Sequence, residues 1–349
     1  ERLEEYYELL AYHYVRSDNN EKAVKFLGLA TNKAAKAYAL ETAKASFHQA
    51  MELLDRLPET DINRESRISL LVNQALVFEQ LHQFPEYYGL LTHYREYIEE
   101  LGNKGLQGAF YARMGHCEFF FGPFSEAIRT GTKAVELCLE GGNVEDAGYA
   151  YSYLIWLYAH IGDFERVFSL KEDALRNVRE QFSLIAYVRM LGGVSLAYQY
   201  SGRWDEALEE CQKALRLAQE YNENINISFA AIMIASVYLH KRDLARAIEY
   251  AELAFQKAPA PVTKIWSQQG LAAAWCHAGN TSKGIETLTN ILPFIRAAHM
   301  APSELYTSAY LAEGYLLAGE YDLGMQVAQD FKKVAEWCGA TYFLGWANR

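Results

Sequence analysis

Residues 198–221, "YQYSGRWDEALEECQKALRLAQEY", join two helix-like stretches through a single glycine. On each side of Gly202, apolar residues recur every three to four positions, the spacing that places them on one face of an α-helix. Gly202 can adopt the left-handed backbone conformation that ends a helix. Trp204 follows two residues later, and we expect its indole ring to be buried between the two helices. The stretch therefore predicts a helical hairpin.

The same turn recurs along most of the chain. Successive turn positions are 40 residues apart, with one step of 37, and they are occupied by His82, Gly122, Gly162, Gly202, Arg242, Gly279 and Gly319. Most turns are preceded by a large residue at four positions and a small one at seven, and followed by a small one at five. One hairpin cannot bury both of its faces, so neighbouring hairpins must stack. The pattern predicts an all-α solenoid of stacked antiparallel helix pairs with a repeat of about 40 residues.

The N-terminal part departs from this period. Ala23 and Ala43 hold equivalent positions only 20 residues apart, which suggests three helices there rather than four. We assign residues 1–57 to an irregular helical entry segment and residues 62–349 to a solenoid of about seven helix pairs. The last residues, "GATYFLGWANR", resemble the start of a further helix, so we expect the array to be cut at its C-terminal end.

Composition narrows the class of protein. The 349 residues are 51% hydrophobic and 22% charged, which describes a chain with ample material for a core. The net charge of -11, with scattered Lys and Arg, opposes a nucleic-acid-binding surface. No apolar run approaches the roughly 18 residues that cross a bilayer. The five cysteines form no CxxC motif and no secreted-type framework, which favours a reducing cytoplasm.

Motifs for catalysis, cofactors and metals are missing from the sequence. It contains no GxGxxG, Walker loop, HExxH or GxSxG, so we expect this segment not to be an enzyme and to bind no cofactor. His116 with Cys117 and Cys276 with His277 are the pairs that could suggest a metal site. They lie four repeats apart, too far for shared ligation of one ion, and we expect no metal.

The segments "SGRWDEALEECQKAL", "FGPFSEAIRTGTKAV" and "AGEYDLGMQVAQDF" resemble tetratricopeptide (TPR) repeats, with a Gly-x-aromatic-x-x-small core. The repeat here is longer than the usual 34 residues or so, which implies longer helices. Residues 6–54 resemble the entry to the C-terminal TPR region of bacterial proteins that join a nucleotide cyclase or kinase domain to a signal-transduction ATPase. The resemblance implies a right-handed superhelix whose concave face is lined by the first helix of each pair.

The resemblance also implies which side chains line that concave face. In TPR arrays the concave face is lined by first-helix side chains two, three, six, ten and thirteen residues before the turn. Here these positions fall largely on aromatic and histidine residues and lysine is nearly absent, so a carboxylate clamp is not supported. Such a surface suits an apolar helix or an extended peptide. The predicted partner-binding residues are His116, Phe119, Phe120, Tyr149, Trp156, His160, Arg189, Gln199, Tyr200, Phe229, His240, Trp266, Gln269, His277, Tyr306 and Glu313.

These observations favour a protein-protein interaction and sensing module of a larger bacterial signalling protein. Its partner would be a protein, a peptide or the protein's own catalytic domain. Two alternatives remain open. One is a small-ligand receptor domain of a transcription regulator, which would bind a sugar or a peptide, with Trp156 and Trp266 stacking on a sugar. The other is a homo-oligomeric scaffold built through exposed solenoid ends. His160, His240 and His277 hold equivalent positions and could make ligand binding depend on pH.

Overall fold

The computed structural model describes residues 3–17 and 19–348, which are largely helical and include no β-strand. After a short 3-10 turn at Glu4–Tyr6, the N-terminal part has three helices. They are α1 (Tyr7–Val15), α2 (Asn20–Lys36) and α3 (Leu40–Leu54). None of the helices in the described residues is long and apolar enough to cross a membrane.

The next hairpin has interrupted arms. Its first arm is α4 (Asp61–Val72) followed by α5 (Ala75–Gln80), and its second is α6 (Phe84–His93) followed by α7 (Arg95–Glu100). The short helix α5 can therefore point in a different direction from α4, and it packs against both α3 and a helix near the other end of the chain.

Regular long helices follow from residue 104 onwards. They are α8 (Lys104–Phe121), α9 (Phe124–Glu140), α10 (Val144–Ile161), α11 (Phe164–Val178), α12 (Leu184–Tyr200), α13 (Trp204–Glu220), α14 (Asn224–His240), α15 (Leu244–Lys257), α16 (Pro261–His277), α17 (Thr281–Ala297), α18 (Ala301–Ala318), α19 (Tyr321–Cys338) and α20 (Thr341–Ala347). Each helix packs against the next, which confirms the predicted TPR-like solenoid of stacked helix pairs.

Left-handed backbone marks the turn inside every hairpin from α5 onwards. All seven predicted turn positions have positive φ, including the non-glycine residues His82 and Arg242. Sequence reasoning missed a second set, the turns between hairpins, where Gly102, Gly142 and Gly339 also have positive φ. Because a side chain is strained in this conformation, the recurring glycines report the backbone geometry directly.

The small residues of the pattern are needed for close helix packing. A methyl group added at Gly108 would lie 2.4 Å from the backbone nitrogen of Cys138, and one at Gly284 would lie 2.3 Å from Cys276 Sγ. Such contacts leave no room for a side chain, so α8 with α9 and α16 with α17 can approach only through glycine.

Trp204 is not buried as predicted: 39% of its surface is exposed. The contact between α12 and α13 is made by small residues, since Ser195 donates a hydrogen bond to the carbonyl of Ala207, and Cys211 lies 2.8 Å from the same hydroxyl. This close approach leaves no space for an indole ring, which stays at the rim. The equivalent residues Phe84 and Phe124, by contrast, are almost completely buried.

The first helices of successive hairpins form a closed ring. Helices α8, α10, α12, α14, α16 and α18 contact one another in that order, and α18 also contacts α8. We call these six helices the inner ring. Two shorter helices contact this ring: α5 packs on α16, and α20 packs on both α18 and α10. The predicted concave groove is therefore a partly open interior surrounded by the six ring helices.

A ligand-sized cavity inside the ring

A cavity of about 140 Å³ lies within the inner ring. All six ring helices and α5 contribute side chains to it. The predicted partner-binding residues that line it are His116, Phe119, Phe120, Trp156, His160, Arg189, Phe229, Trp266, Gln269 and Tyr306. Residues as far apart in sequence as Glu79 and Tyr310, a separation of 231 positions, thus meet around one small volume.

Four partly exposed aromatic residues form the apolar lining, which we call the aromatic wall: Trp156, Phe229, Trp266 and Tyr306. The indole N–H of Trp156 donates to the carbonyl of Arg189 at 2.8 Å, and that of Trp266 donates to Ser303 Oγ at 3.0 Å. The Phe229 ring lies between the two tryptophans, with centroids 5.7 Å and 6.5 Å away. Because both indole N–H groups are already bonded to protein, the wall presents mainly apolar ring surface.

A polar end closes one side of the cavity. Glu79 from α5 and Arg189 from α12 form a hydrogen-bonded ion pair there. Only 2% of the Glu79 side chain and 12% of the Arg189 side chain are exposed. His116 Nδ1 lies 4.0 Å from Glu79 Oε2. We call Glu79, His116 and Arg189 the polar end; its two full charges cancel.

His116 is uncharged in this setting. Burial, together with the positive charges of Arg189 and Arg113, holds the pKa of His116 well below its ordinary value. Burial raises the pKa of Tyr149, so its hydroxyl stays protonated and donates to His116 Nδ1 at 2.6 Å. The Arg113 guanidinium lies over the Tyr149 ring and pairs with Asp146 at 2.6 Å. Tyr149 therefore holds His116 in place within the polar end through this hydrogen bond.

His160 lies deeper, between the cavity and α20. Its Nδ1–H donates to the carbonyl of Trp156 at 2.7 Å, while its Nε2 is buried without a hydrogen-bond partner. The ring stacks on Phe343 of α20 and meets the edge of Tyr306. Burial lowers the pKa of His160 to about 4.

This pKa makes stability depend on pH. Between pH 6.5, the ordinary value, and about 4, the unfolded chain takes up a proton at His160 that the folded chain does not. The stabilisation is complete above pH 6.5 and is lost as the pH falls. We expect His160→Phe to reduce the loss of unfolding free energy between pH 7 and pH 5 by about 2 kcal/mol, measured by urea denaturation at both pH values. Equal losses in the two proteins would contradict a buried neutral imidazole.

The remaining predicted residues lie beside the cavity rather than in its lining. Gln199 is buried and accepts a hydrogen bond from Ser236. The Tyr200 and Tyr306 hydroxyls are 2.5 Å apart, and the Tyr200 ring stacks on Tyr342 of α20. Tyr200 therefore belongs to the packing around α20, whereas Gln199 lies between Ser195 and Ser236.

The two other histidines at equivalent positions have separate partners. His240 Nδ1 bonds the carbonyl of Ser236 at 2.8 Å, and burial lowers the pKa of His240. His277 Nε2 lies 3.1 Å from Glu313, which also accepts from the Trp346 indole at 2.8 Å. His240, His277 and Glu313 thus form polar packing near α20, and only His160 of the three predicted imidazoles reaches the cavity lining.

The predicted set did not include eleven of the lining residues, among them Glu79, Ile232 and Gly270. Glu79 stands three positions before the turn at His82, so the TPR rule applied to that first turn finds it. Ile232 stands ten positions before Arg242, another concave-face position of the same rule. Gly270 lies outside these positions, and its sequence context offers no signal. Its importance comes from the space beside it, since a methyl group added there meets no atom within 4 Å.

Metal-binding residues do not converge anywhere in the described part of the chain. The five cysteines are free and buried. Cys276 packs against Gly284 and Gly314, and burial raises the pKa of its thiol to about 11. These thiols therefore serve as packing groups.

Comparisons with known proteins agree with this architecture. Residues 187–259 match the sequence model of the tetratricopeptide repeat. No curated protein matches the chain. Among solved structures, a Rap protein complexed with Competence and Sporulation Factor is similar over 92% of this chain and 96% of its own, with TM-score 0.61 and 17% identity.

Two further solved structures have the same fold. The apo quorum sensor NprR from B. thuringiensis is similar over 95% of this chain and 93% of its own, with TM-score 0.60 and 13% identity. Aspartyl phosphate phosphatase F from Bacillus subtilis is similar over 90% and 95%, with TM-score 0.60 and 10% identity. Residues 187–259 thus match tetratricopeptide repeats, and the helix pairs stacked on both sides of them form a TPR-like solenoid.

Proposed function

We propose that this protein is an interaction and sensing module whose signal binds in the cavity of the inner ring. It works by binding rather than by bond-making. The observation that carries the proposal is the composition of the cavity lining, which draws side chains from α5 and from all six ring helices. A ligand held there contacts most of the repeats at once, so one binding event acts on the whole solenoid.

Closure of the ring couples ligand binding in the cavity to the arrangement of the solenoid ends. The ion pair between Glu79 and Arg189 joins positions 110 residues apart, and α18 meets α8 across the ring. A ligand that contacts both sides of this closure stabilises the closed form relative to forms in which the ends separate. The outer helices and solenoid ends then present a different surface to a protein partner, which is the module's output.

The cavity volume favours a small ligand or a single anchoring side chain over a long peptide laid along the solenoid. An enclosed apolar cavity of roughly 150 Å³ accommodates one benzene molecule, and this one measures about 140 Å³. The small-ligand alternative and the peptide-partner alternative therefore converge on the same requirement, a group of about one ring in size.

The fold comparisons support a sensing role without specifying its ligand. One similar structure is named a quorum sensor, and another is complexed with a signalling factor. At 17% and 13% identity the shared property is the fold, and function depends on the residues of the site. The buried free thiols support our placement of the module in a reducing cytoplasm.

The test is to fill the cavity without harming the fold. Gly270 lies within α16, and open space surrounds a side chain built there. Gly270→Leu should fill the cavity and, because leucine favours a helix more than glycine does, leave stability equal or raise it by about 0.5–1 kcal/mol. Gly89→Leu is the matched control, since Gly89 lies in α6, is exposed and also has open space around it.

Both variants and the wild type are screened by thermal shift against a panel of metabolites and short peptides. We expect at least one compound to raise the melting temperature of the wild type and of Gly89→Leu, and to leave Gly270→Leu unchanged. If every stabilising compound acts equally on Gly270→Leu, the signal does not bind in the cavity, and the proposal is wrong.

A further inference from the structure

The polar end of the cavity discriminates between ligands by the charge they carry. It offers a donor, the Arg189 guanidinium, directly beside an acceptor, the Glu79 carboxylate. A ligand carboxylate would approach Glu79 and be repelled, and a ligand ammonium group would meet the same difficulty at Arg189. His116 adds no charge because it is held neutral. An uncharged group is therefore preferred.

Among uncharged groups, a hydroxyl satisfies both members of the pair. It can accept a hydrogen bond from Arg189 while donating its own proton to Glu79. Hydrogen bonds to charged groups are stronger than those between neutral groups. A carbonyl can only accept and would leave the carboxylate side unused, whereas an apolar group would leave both without a partner.

The rest of the cavity lining determines the size and the chemistry of the remaining part of the ligand. Trp156, Phe229, Trp266 and Tyr306 surround a space of about 140 Å³. Aromatic rings pack favourably on one another in offset or edge-to-face arrangements. A single aromatic ring is matched to this wall in both size and chemistry.

We infer that the cavity binds one phenol-type ring, with its hydroxyl between Glu79 and Arg189 and its ring against the aromatic wall. This inference rests on the proposed function and names the ligand class for the same site. The phenol can belong to a free small molecule or to a tyrosine side chain of a peptide, since both carry the same group.

Isothermal titration of the full chain with four single-ring probes tests the class. The probes are phenol, toluene, benzoate and benzylammonium, which are similar in size and differ in charge and hydrogen bonding. We expect phenol to bind the wild type and Gly89→Leu roughly 10-fold or more tighter than the other three, and not to bind Gly270→Leu.

Removing the negative charge of Glu79 at the polar end should change which of the four probes binds most tightly. Glu79→Gln keeps the shape of the side chain and leaves the Arg189 charge without its partner, so benzoate should now bind more tightly than phenol. This reversal depends on electrostatics rather than stability. Circular dichroism melting curves of each variant confirm that the titrated protein is folded.

A second pair of probes distinguishes the two sources of the phenol group, a free small molecule and a tyrosine side chain of a peptide. N-acetyltyrosinamide and N-acetylphenylalaninamide carry an amide group on each side of the α-carbon that bears the aromatic side chain. Selective binding of the tyrosine compound indicates a peptide source, and its exclusion alongside tight binding of phenol indicates a free phenolic molecule. Either outcome supports the phenol class.

Three outcomes would overturn the inference. If toluene, benzoate or benzylammonium matches phenol on the wild type and is blocked by Gly270→Leu, the site is right but the ligand class is wrong. If none of the four probes binds, the ligand class is also wrong, while the panel screen still tests the cavity. If phenol binds wild type and Gly270→Leu equally, both this inference and the proposed function fail.

Discussion

Replacing Arg189 with methionine is expected to lower the free energy of unfolding by about 3–5 kcal/mol, because it leaves the Glu79 carboxylate buried without its partner. Glu79 is only 2% exposed and has little access to water. The pair also links α5 to α12, so the loss should appear as earlier unfolding of the whole chain in urea. The hydrogen bond from the Trp156 indole N–H to the carbonyl of residue 189 does not depend on the replaced side chain.

Two companion variants isolate the cause. The double variant Glu79→Leu/Arg189→Met removes both charges and should recover most of the lost stability, since apolar replacements of buried pairs are often neutral. Arg203→Met removes an exposed partner of Glu206 and should cost less than about 1 kcal/mol. If the double variant is as unstable as Arg189→Met alone, the damage comes from lost packing rather than an unpaired charge.

The second large effect is expected at Phe124, where replacement with alanine should cost about 3–5 kcal/mol. Phe124 is completely buried at the start of α9 and packs against the rings of Phe119 and His160. Its removal leaves a cavity that the surrounding helices can close only partly. Chemical denaturation followed by circular dichroism measures the difference.

Trp204→Ala provides the comparison, because Trp204 holds the equivalent position two repeats later. With 39% of its surface exposed, we expect a cost of about 1–2 kcal/mol despite the larger ring. Equal losses at the two positions would mean that the aromatic column contributes equally in every repeat, contrary to the burial described above.

The repeat pattern predicted the architecture because it reports local geometry. The turn positions from His82 to Gly319 all have positive φ, and the small positions mark where helices touch. The positive φ at the turn and the close contact at the small residues are both required within a single hairpin, and both recur in each hairpin. The burial of Trp204 could not be predicted in the same way, since it depends on how closely α12 and α13 approach, and their contact is set by Ser195, Ala207 and Cys211.

The candidate site was predicted only in part. The TPR positions identified the aromatic wall and Arg189, but they treated these residues as one open surface. The ion pair with Glu79 joins positions 110 residues apart, and no periodic pattern reports a contact over that distance. Gly270 likewise matters only through the empty space beside it.

The amino-acid sequence by itself determined the helix pairs, their turns and their stacking order, because these follow from hydrophobic period and backbone conformation over about 40 residues. Only the tertiary structure decided that the stack closes, with α18 against α8 and α20 over α10. Closure depends on small rotations between neighbouring repeats that add up along the solenoid. The accumulated rotation converts the predicted groove into a cavity and brings the charges of Glu79 and Arg189 together.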